Sequence, residues 1–232
     1  MSRRTLATLR GLVRAVLLAE AATSAAELLA RDPTVELVLR KGSMYPLSAA
    51  LERVDPETGE TLGLAVLHAG PPKPSVKTYG GPCRPRDASG ATMDPAWEVK
   101  WSRAESGLGP LIYDAAMEAL SLIGASLTSD RDEVSDSAQR VWGFYARQRR
   151  DVVPGILDDE NGTLTPDDPK DDCSQFMSKS IAADAGTPDA WHEEPTSRAY
   201  TVPKGQTPTI DAFRRAGRLR TVGFSPGIFD RG

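Results

Sequence analysis

The chain has 232 residues, of which 40% are hydrophobic, so it can bury one sizeable core with residues left over for arms and loops. Its formal net charge of −4 gives no general attraction to nucleic acid or membrane surfaces, and no apolar run is long enough to span a bilayer. Cys83 and Cys173 lie far apart without a metal-ligand companion, so neither a disulfide framework nor a zinc site is predicted.

The first predicted element is an amphipathic helix over residues 3–31. Arginines mark one side of it, and Pro33 is expected to end it. The apolar stripe consists of Leu6, Leu9, Val13, Val16 and Leu17. Such a helix either packs on its own domain or binds a partner or a membrane. Its alanine-rich second half lacks the bulk for firm membrane insertion, so between the last two we favour a protein partner.

Three strands are predicted next, over residues 35–39, 47–54 and 62–68. The intervening sequence Asp55-Pro-Glu-Thr-Gly-Glu60 is typical of a turn and predicts an antiparallel hairpin. Residues 70–94 are rich in proline and glycine, which predicts a long loop.

The most informative stretch is residues 97–120, which predict a strand, a glycine loop and a helix. Trp97, Val99 and Trp101 alternate with charged residues, as on one face of a strand. Gly107 and Gly109 precede a helical pattern in which Pro110 fits the first turn. Because a helix N-terminus presents free N–H groups and glycines let a ligand approach them, this loop predicts a phosphate cradle.

A second short strand over residues 124–128 and a second helix over residues 135–145 follow. Strand, G-x-G loop, helix, strand, helix resembles the acetyl-CoA-binding half of the GNAT N-acetyltransferases, over residues 97–150. The segments "GLGPLIYDAAMEAL", "LTSDRDEVSDSAQRVWGFY" and "SRAYTV…TIDAFRRAGRL" more closely resemble acetyltransferase-like proteins of tailed bacteriophages.

This resemblance implies an α/β (α+β) fold with a mixed, mostly antiparallel sheet flanked by helices. We divide the chain into an N-terminal helical arm (1–32), a GNAT-like domain (33–157) and an acidic, loop-rich C-terminal extension with a short helix (158–232).

The resemblance also implies acetyl-CoA as cofactor. The pyrophosphate motif [QR]-x-x-G-x-[GA] falls on Ala104-Glu-Ser-Gly-Leu-Gly109, which matches both glycines and leaves Arg103 one residue out of register. The cofactor-binding residues implied are Arg103, Ser106, Gly107, Leu108, Gly109 and Ser135.

The second GNAT motif places Trp142 where many of these enzymes use a tyrosine as general acid, and an indole cannot do that job. Tyr145 is therefore the candidate catalytic acid, with core packing as the alternative. Glu98 is the candidate catalytic base, although beside Lys100 it fits a surface strand edge equally well.

Acidic residues crowd the segment 158–172. An EF-hand alignment there places Leu157 first and Asp168 twelfth, which misses two required ligands, so no metal site is predicted. A short helix over residues 209–219 is predicted near the C-terminus.

Two functions remain open. The chain is either an acetyl-CoA-dependent N-acetyltransferase acting on an amine, or a non-catalytic structural component of a phage virion that uses the same fold as an assembly block. The second function implies partners among other virion proteins, or self-association, through the N-terminal helix and C-terminal arm. The expected location is the virion or the host cytoplasm, with no specific nucleic acid and no membrane as partner.

Overall fold

The computed structural model describes residues 23–70, 94–129, 134–156, 198–203, 205–225 and 228–229. These form one mixed sheet of eight strands with four helices, which confirms the predicted α+β class. In chain order the elements are α1 (Ala25–Arg31), β1 (Val35–Arg40), β2 (Leu47–Val54), β3 (Thr61–Gly70), β4 (Ala96–Ala104), α2 (Gly109–Leu122), β5 (Ser126–Thr128), α3 (Asp136–Gln148), β6 (Val153–Ile156), β7 (Arg198–Thr201), α4 (Pro208–Arg215) and β8 (Leu219–Val222).

The strands lie in the order β6-β7-β5-β4-β3-β2-β1-β8. β1 to β4 form an antiparallel meander, whereas β4 pairs with β5 and β1 pairs with β8 in parallel.

The predicted hairpin between β2 and β3 is confirmed. Asp55 Oδ1 accepts the N–H groups of Glu57 and Thr58, at 2.8 and 2.9 Å, and Gly59 has a φ of +71°. This local turn fixes the register of the two strands.

A β-bulge in β4 separates its two halves. Val99 lies opposite Ala69 and Trp101 lies opposite His68, so Lys100 is the additional residue. Trp101 therefore points to the sheet face opposite Val99 and is 49% exposed, which corrects the predicted shared face of Trp97, Val99 and Trp101. β5 pairs with β4 only at residues 96–98. From Val99 onward, that edge of β4 has no partner strand among the described residues.

The core lies on the face of the sheet that α2 covers. α2 contacts β2, β3, β4, β5 and β7, and almost its whole middle is buried because a central helix must pack on both sheet and neighbouring helices. Aromatic rings extend this core toward α3 and β7: Trp142 stacks on Tyr200 with ring centroids 5.2 Å apart and meets the Tyr113 ring edge-on at the same distance. These contacts hold α3 beside α2.

The N-terminal helix differs from the prediction. α1 begins at Ala25, after Ser24, whose extended backbone and side chain form a capping box with Glu27. The helix predicted over residues 3–31 is therefore not continuous through Ser24. It ends before Pro33, as predicted. Residues 1–22, with the predicted apolar stripe, lie outside the described residues.

The C-terminal part also differs. β7 lies between β5 and β6, and β8 pairs with β1, so these two strands belong to the same sheet as β1 to β5 and not to a separate extension. The cause is apolar burial, since Tyr200, Ile210 and Phe213 are fully buried. The predicted helix over residues 209–219 ends at Arg215, and Leu219 begins β8. The acidic segment 158–172, the loop at residues 71–93, Cys83 and Cys173 lie outside the described residues.

Candidate functional site

A cavity of about 540 Å³ opens where β4 passes into α2. Its walls are the last residues of β4, the loop at residues 105–108, the first turns of α2 and the first half of α3. The open edge of β4 leaves room here, because β5 no longer accompanies the strand. The cavity therefore joins a strand edge to the N-termini of two helices.

The glycine loop supplies backbone donors. Gly107 has a φ of +84°, a conformation that favours glycine, as predicted. Gly109 has no positive φ, and a Cβ added there would lie 3.8 Å from Val141 Cγ2. Within the described residues, the N–H groups of Gly107, Gly109 and Leu111 have no backbone acceptor, and α2 has no side-chain cap. The start of α2 therefore offers donors and a positive dipole end to an anion.

Two guanidinium groups strengthen this preference for an anion. Arg103 from β4 and Arg140 from α3 line the cavity, while Glu105 is the acidic side chain of the described lining. Three serines lie nearby: Ser106, Ser135 and Ser137. Ser135 caps α3 by accepting the N–H of Ala138 at 3.3 Å, and Ser137 Oγ lies 3.3 Å from Arg140 Nη2. Arginine forks beside a helix N-terminus are a common arrangement for binding phosphate.

Part of the cavity lining is apolar and includes Ile112, Val141 and Phe144. The lining also contains two hydroxyl groups that sequence analysis missed, Ser102 Oγ and Tyr113 Oη, 3.1 Å apart. Burial raises the pKa of Tyr113, so the phenol stays neutral at ordinary pH. The sequence did carry a signal, because Tyr113 follows Gly109 by four residues and so shares its helical face.

The structure brings most of the predicted cofactor residues together. Lining the same cavity are Arg103, Ser106, Gly107, Gly109 and Ser135. Leu108, the N-cap residue of α2, is buried in the core and accepts the N–H of Ile112 at 3.1 Å. Its contribution to this site is to fix the loop.

The predicted acid, Tyr145, lies elsewhere. It is fully buried, and its hydroxyl lies 2.8 Å from Asp114 Oδ1 and 2.9 Å from the carbonyl oxygen of Pro110. Burial raises the pKa of Tyr145 well above its usual value. Arg149 Nη1 lies 2.9 Å from both oxygens of Asp114, which completes a network between α2 and α3. Tyr145 is not part of the described cavity lining, and its role as an acid stays a prediction.

The predicted base, Glu98, lies on β4 beside the bulge. It is buried and forms an ion pair with Lys100 Nζ. It lies outside the described lining of the cavity, on the part of β4 that still pairs with β5. Glu98 and Lys100 thus flank the point at which the open edge of the strand begins.

Among the residues that the structure covers, no group of three or more potential metal ligands occurs, and no helix is long and apolar enough to cross a membrane. Comparison with known protein families, with curated proteins and with solved structures found no match. The fold is a mixed α+β fold, and its cavity combines unpaired N–H groups at a helix N-terminus with two guanidinium groups, an arrangement suited to an anion.

Proposed function

We propose that this chain is a GNAT-type N-acetyltransferase of the kind encoded by tailed bacteriophages, which binds acetyl-CoA and transfers the acetyl group to an amine. The observation that carries the proposal is the convergence on one cavity of Arg103, Ser106, Gly107, Gly109 and Ser135, which the cofactor motif implied. The antiparallel meander that leads through β4 and the glycine loop into α2 supports it as well.

The residues present fit a CoA diphosphate. The free N–H groups at the start of α2 and the guanidinium groups of Arg103 and Arg140 would hold it, since both kinds of donor suit phosphate oxygens. The apolar lining suits the methyl and methylene groups of the pantetheine arm, and the backbone groups at the open edge of β4 suit its amides. When bound, acetyl-CoA supplies an activated acetyl thioester.

The open edge of β4 also suits acyl transfer. It extends from Ser102 in the cavity lining to the bulge at Lys100, two residues or roughly 7 Å away at about 3.3 Å per residue. Bulges leave backbone groups unpaired, and an unpaired N–H can stabilise a developing oxyanion. Glu98, beside this bulge, is the carboxylate positioned to accept a proton from an ammonium ion, provided that its ion pair with Lys100 opens.

The alternative function is a non-catalytic structural component of a phage virion. It is favoured by one observation: the side chains of both predicted catalytic residues already have partners, Tyr145 with Asp114 and Glu98 with Lys100. A second expectation of this function, a C-terminal arm that binds other proteins, is weakened, because the described C-terminal strands β7 and β8 pair within the chain's own sheet.

Isothermal titration calorimetry of the full chain with CoA tests the cofactor assignment. We expect saturable binding that Gly107→Val abolishes, with urea unfolding used to confirm that the variant remains folded. No heat and no thermal shift at millimolar CoA would rule out the enzyme. If CoA binds, release of its thiol from acetyl-CoA in the presence of a panel of amines separates an active enzyme from a non-catalytic protein.

A further inference from the structure

The cavity lining contains a hydroxyl pair, Ser102 and Tyr113, that has no part in the phosphate contacts above. Ser102 comes from β4 and Tyr113 from α2, and their oxygens lie 3.1 Å apart. The pair thus bridges the strand and the helix that form the cavity. The Tyr113 ring packs edge-to-face against the Trp142 ring at an interplanar angle of 83°. This contact fixes the position of the phenol.

This pair keeps unused hydrogen-bonding capacity. One hydrogen is shared between the two hydroxyls, so a second hydrogen and several lone pairs remain. Within the described residues, this bond is the one hydrogen bond of either hydroxyl. The surrounding lining of Ile112, Val141 and Phe144 offers no polar partner. Tyr113 is buried, and a buried hydroxyl is costly to leave unsatisfied, so the pair suits a ligand group that both donates and accepts.

We propose, on the basis of the cofactor assignment above, that Ser102 and Tyr113 bind the first amide of the pantetheine arm and so favour CoA over a bare nucleotide diphosphate. The carbonyl oxygen of an amide can accept the remaining hydrogen of the pair, and the amide N–H can donate to one of its remaining lone pairs. Tyr113 lies about 6 Å along α2 from Gly109, at one helical turn. In CoA, a short carbon chain with two methyl groups and one hydroxyl separates the diphosphate from that amide, and the apolar lining suits the methyl groups.

Calorimetry on the full chain tests this inference with two probes, CoA and ADP, because ADP has the diphosphate but no pantetheine arm. Tyr113→Phe keeps the ring and removes the hydroxyl. We expect it to weaken CoA binding about tenfold, as the loss of one hydrogen bond predicts, and to leave ADP binding unchanged. Ser102→Ala is expected to act in the same direction. Tyr45→Phe is the matched control, since Tyr45 stacks on His68 and does not line the described cavity.

The outcomes separate the two proposals. A Tyr113→Phe variant that loses CoA and ADP affinity by the same factor, or neither, overturns the amide contact while the phosphate site stands. A wild-type chain that binds neither probe overturns the cofactor assignment and this inference together. If Tyr113→Phe does not fold, the ratio of CoA to ADP affinity in Ser102→Ala decides, because Ser102 is a small, partly exposed side chain.

Discussion

Two glycines with positive φ flank α2, and substituting each of them distinguishes backbone strain from ligand binding at the candidate site. Gly107, just before α2, has a φ of +84°, and Gly124, just after α2, has a φ of +73°. A Cβ at Gly124 would meet nothing within 4 Å, so alanine there tests backbone strain alone. We expect Gly107→Ala and Gly124→Ala each to lose about 1 to 3 kcal/mol of unfolding free energy in urea.

The two glycine variants should differ in CoA binding. Gly124→Ala is expected to bind CoA as the wild type does, whereas Gly107→Ala loses affinity because the loop N–H groups move. Equal CoA affinity in both variants would mean that the loop does not contact the ligand.

The hydroxyl of Tyr145 gives a second prediction. It bonds to Asp114, whose carboxylate also pairs with Arg149, so Tyr145→Phe removes one contact of a buried network. We expect a loss of about 1 to 3 kcal/mol in chemical denaturation, with CoA affinity unchanged by calorimetry. Weakened CoA binding at unchanged stability would instead place this hydroxyl at the ligand.

Which of these residue roles the sequence can predict depends on how local their cause is. The positive φ of Gly107 follows from a glycine before a helix, and the structure has it. The face of β4 on which Trp101 lies cannot be predicted in this way. Alternation assumes a regular strand, and the bulge at Lys100 places Trp101 on the opposite face. The partner of Tyr145 is Asp114, 31 residues away, and no spacing rule reaches that far.

At the scale of elements, α4 depends on a side chain from another helix. Thr207 provides no side-chain cap for α4. Glu118 of α2 does so instead, with Oε1 accepting the N–H of Thr209 at 2.9 Å and Oε2 that of Ile210 at 2.8 Å. The sequence predicted helix α4 from its apolar spacing, but it gave no sign that the cap would come from so distant a residue. This contact ties the C-terminal part of the chain to the central helix.

Glu118 should therefore make stability depend on pH. Burial raises the pKa of Glu118 to about 7, although the backbone hydrogen bonds from Ile210 and Thr209 lower it. Since the folded chain then holds a proton that the unfolded chain releases above its usual pKa of 4.5, stability is lost as pH rises from about 5 through 7. Relative to Glu118→Gln, we expect the wild type to lose about 3 kcal/mol over that range.

The measurement is urea unfolding of wild type and Glu118→Gln at pH 5, 6, 7 and 8. The glutamine variant is the control because it has the same size and no charge. Wild-type stability that rises with pH relative to Glu118→Gln would show the opposite effect, a carboxylate stabilised as an anion by the N-terminus of α4.

At the scale of the whole molecule, the sheet is larger than its sequence pattern indicates. β1 to β4 have six to ten residues each, and the sequence predicts all four, whereas β6, β7 and β8 have four residues each. Such short strands carry too few residues for a periodicity. β8 pairs with β1 in parallel across most of the chain, and pairings of that separation have no local signal.

This architecture predicts that the C-terminal elements are required for folding. A chain that ends at residue 157 lacks β7, which joins β5 to β6, and the buried side chains of Tyr200, Ile210 and Phe213. We expect that truncated chain to show no cooperative unfolding transition. In the full chain, Phe213→Ala should lose about 3 to 5 kcal/mol through the cavity it leaves, whereas Val222→Ala, at a half-exposed site on β8, should change stability little.

Limited proteolysis followed by mass spectrometry gives the same answer without substitutions. From the sequence alone, protease would trim the terminal regions and leave residues 35–157 intact. From the structure, we expect residues 198–225 to stay with the folded core after any cleavage between residues 157 and 197, because both strands of that segment pair within the sheet. A stable, folded fragment that lacks residues 198–225 would contradict this expectation. It would also favour the virion component, since a C-terminal region that the core does not need is free to bind a neighbouring protein.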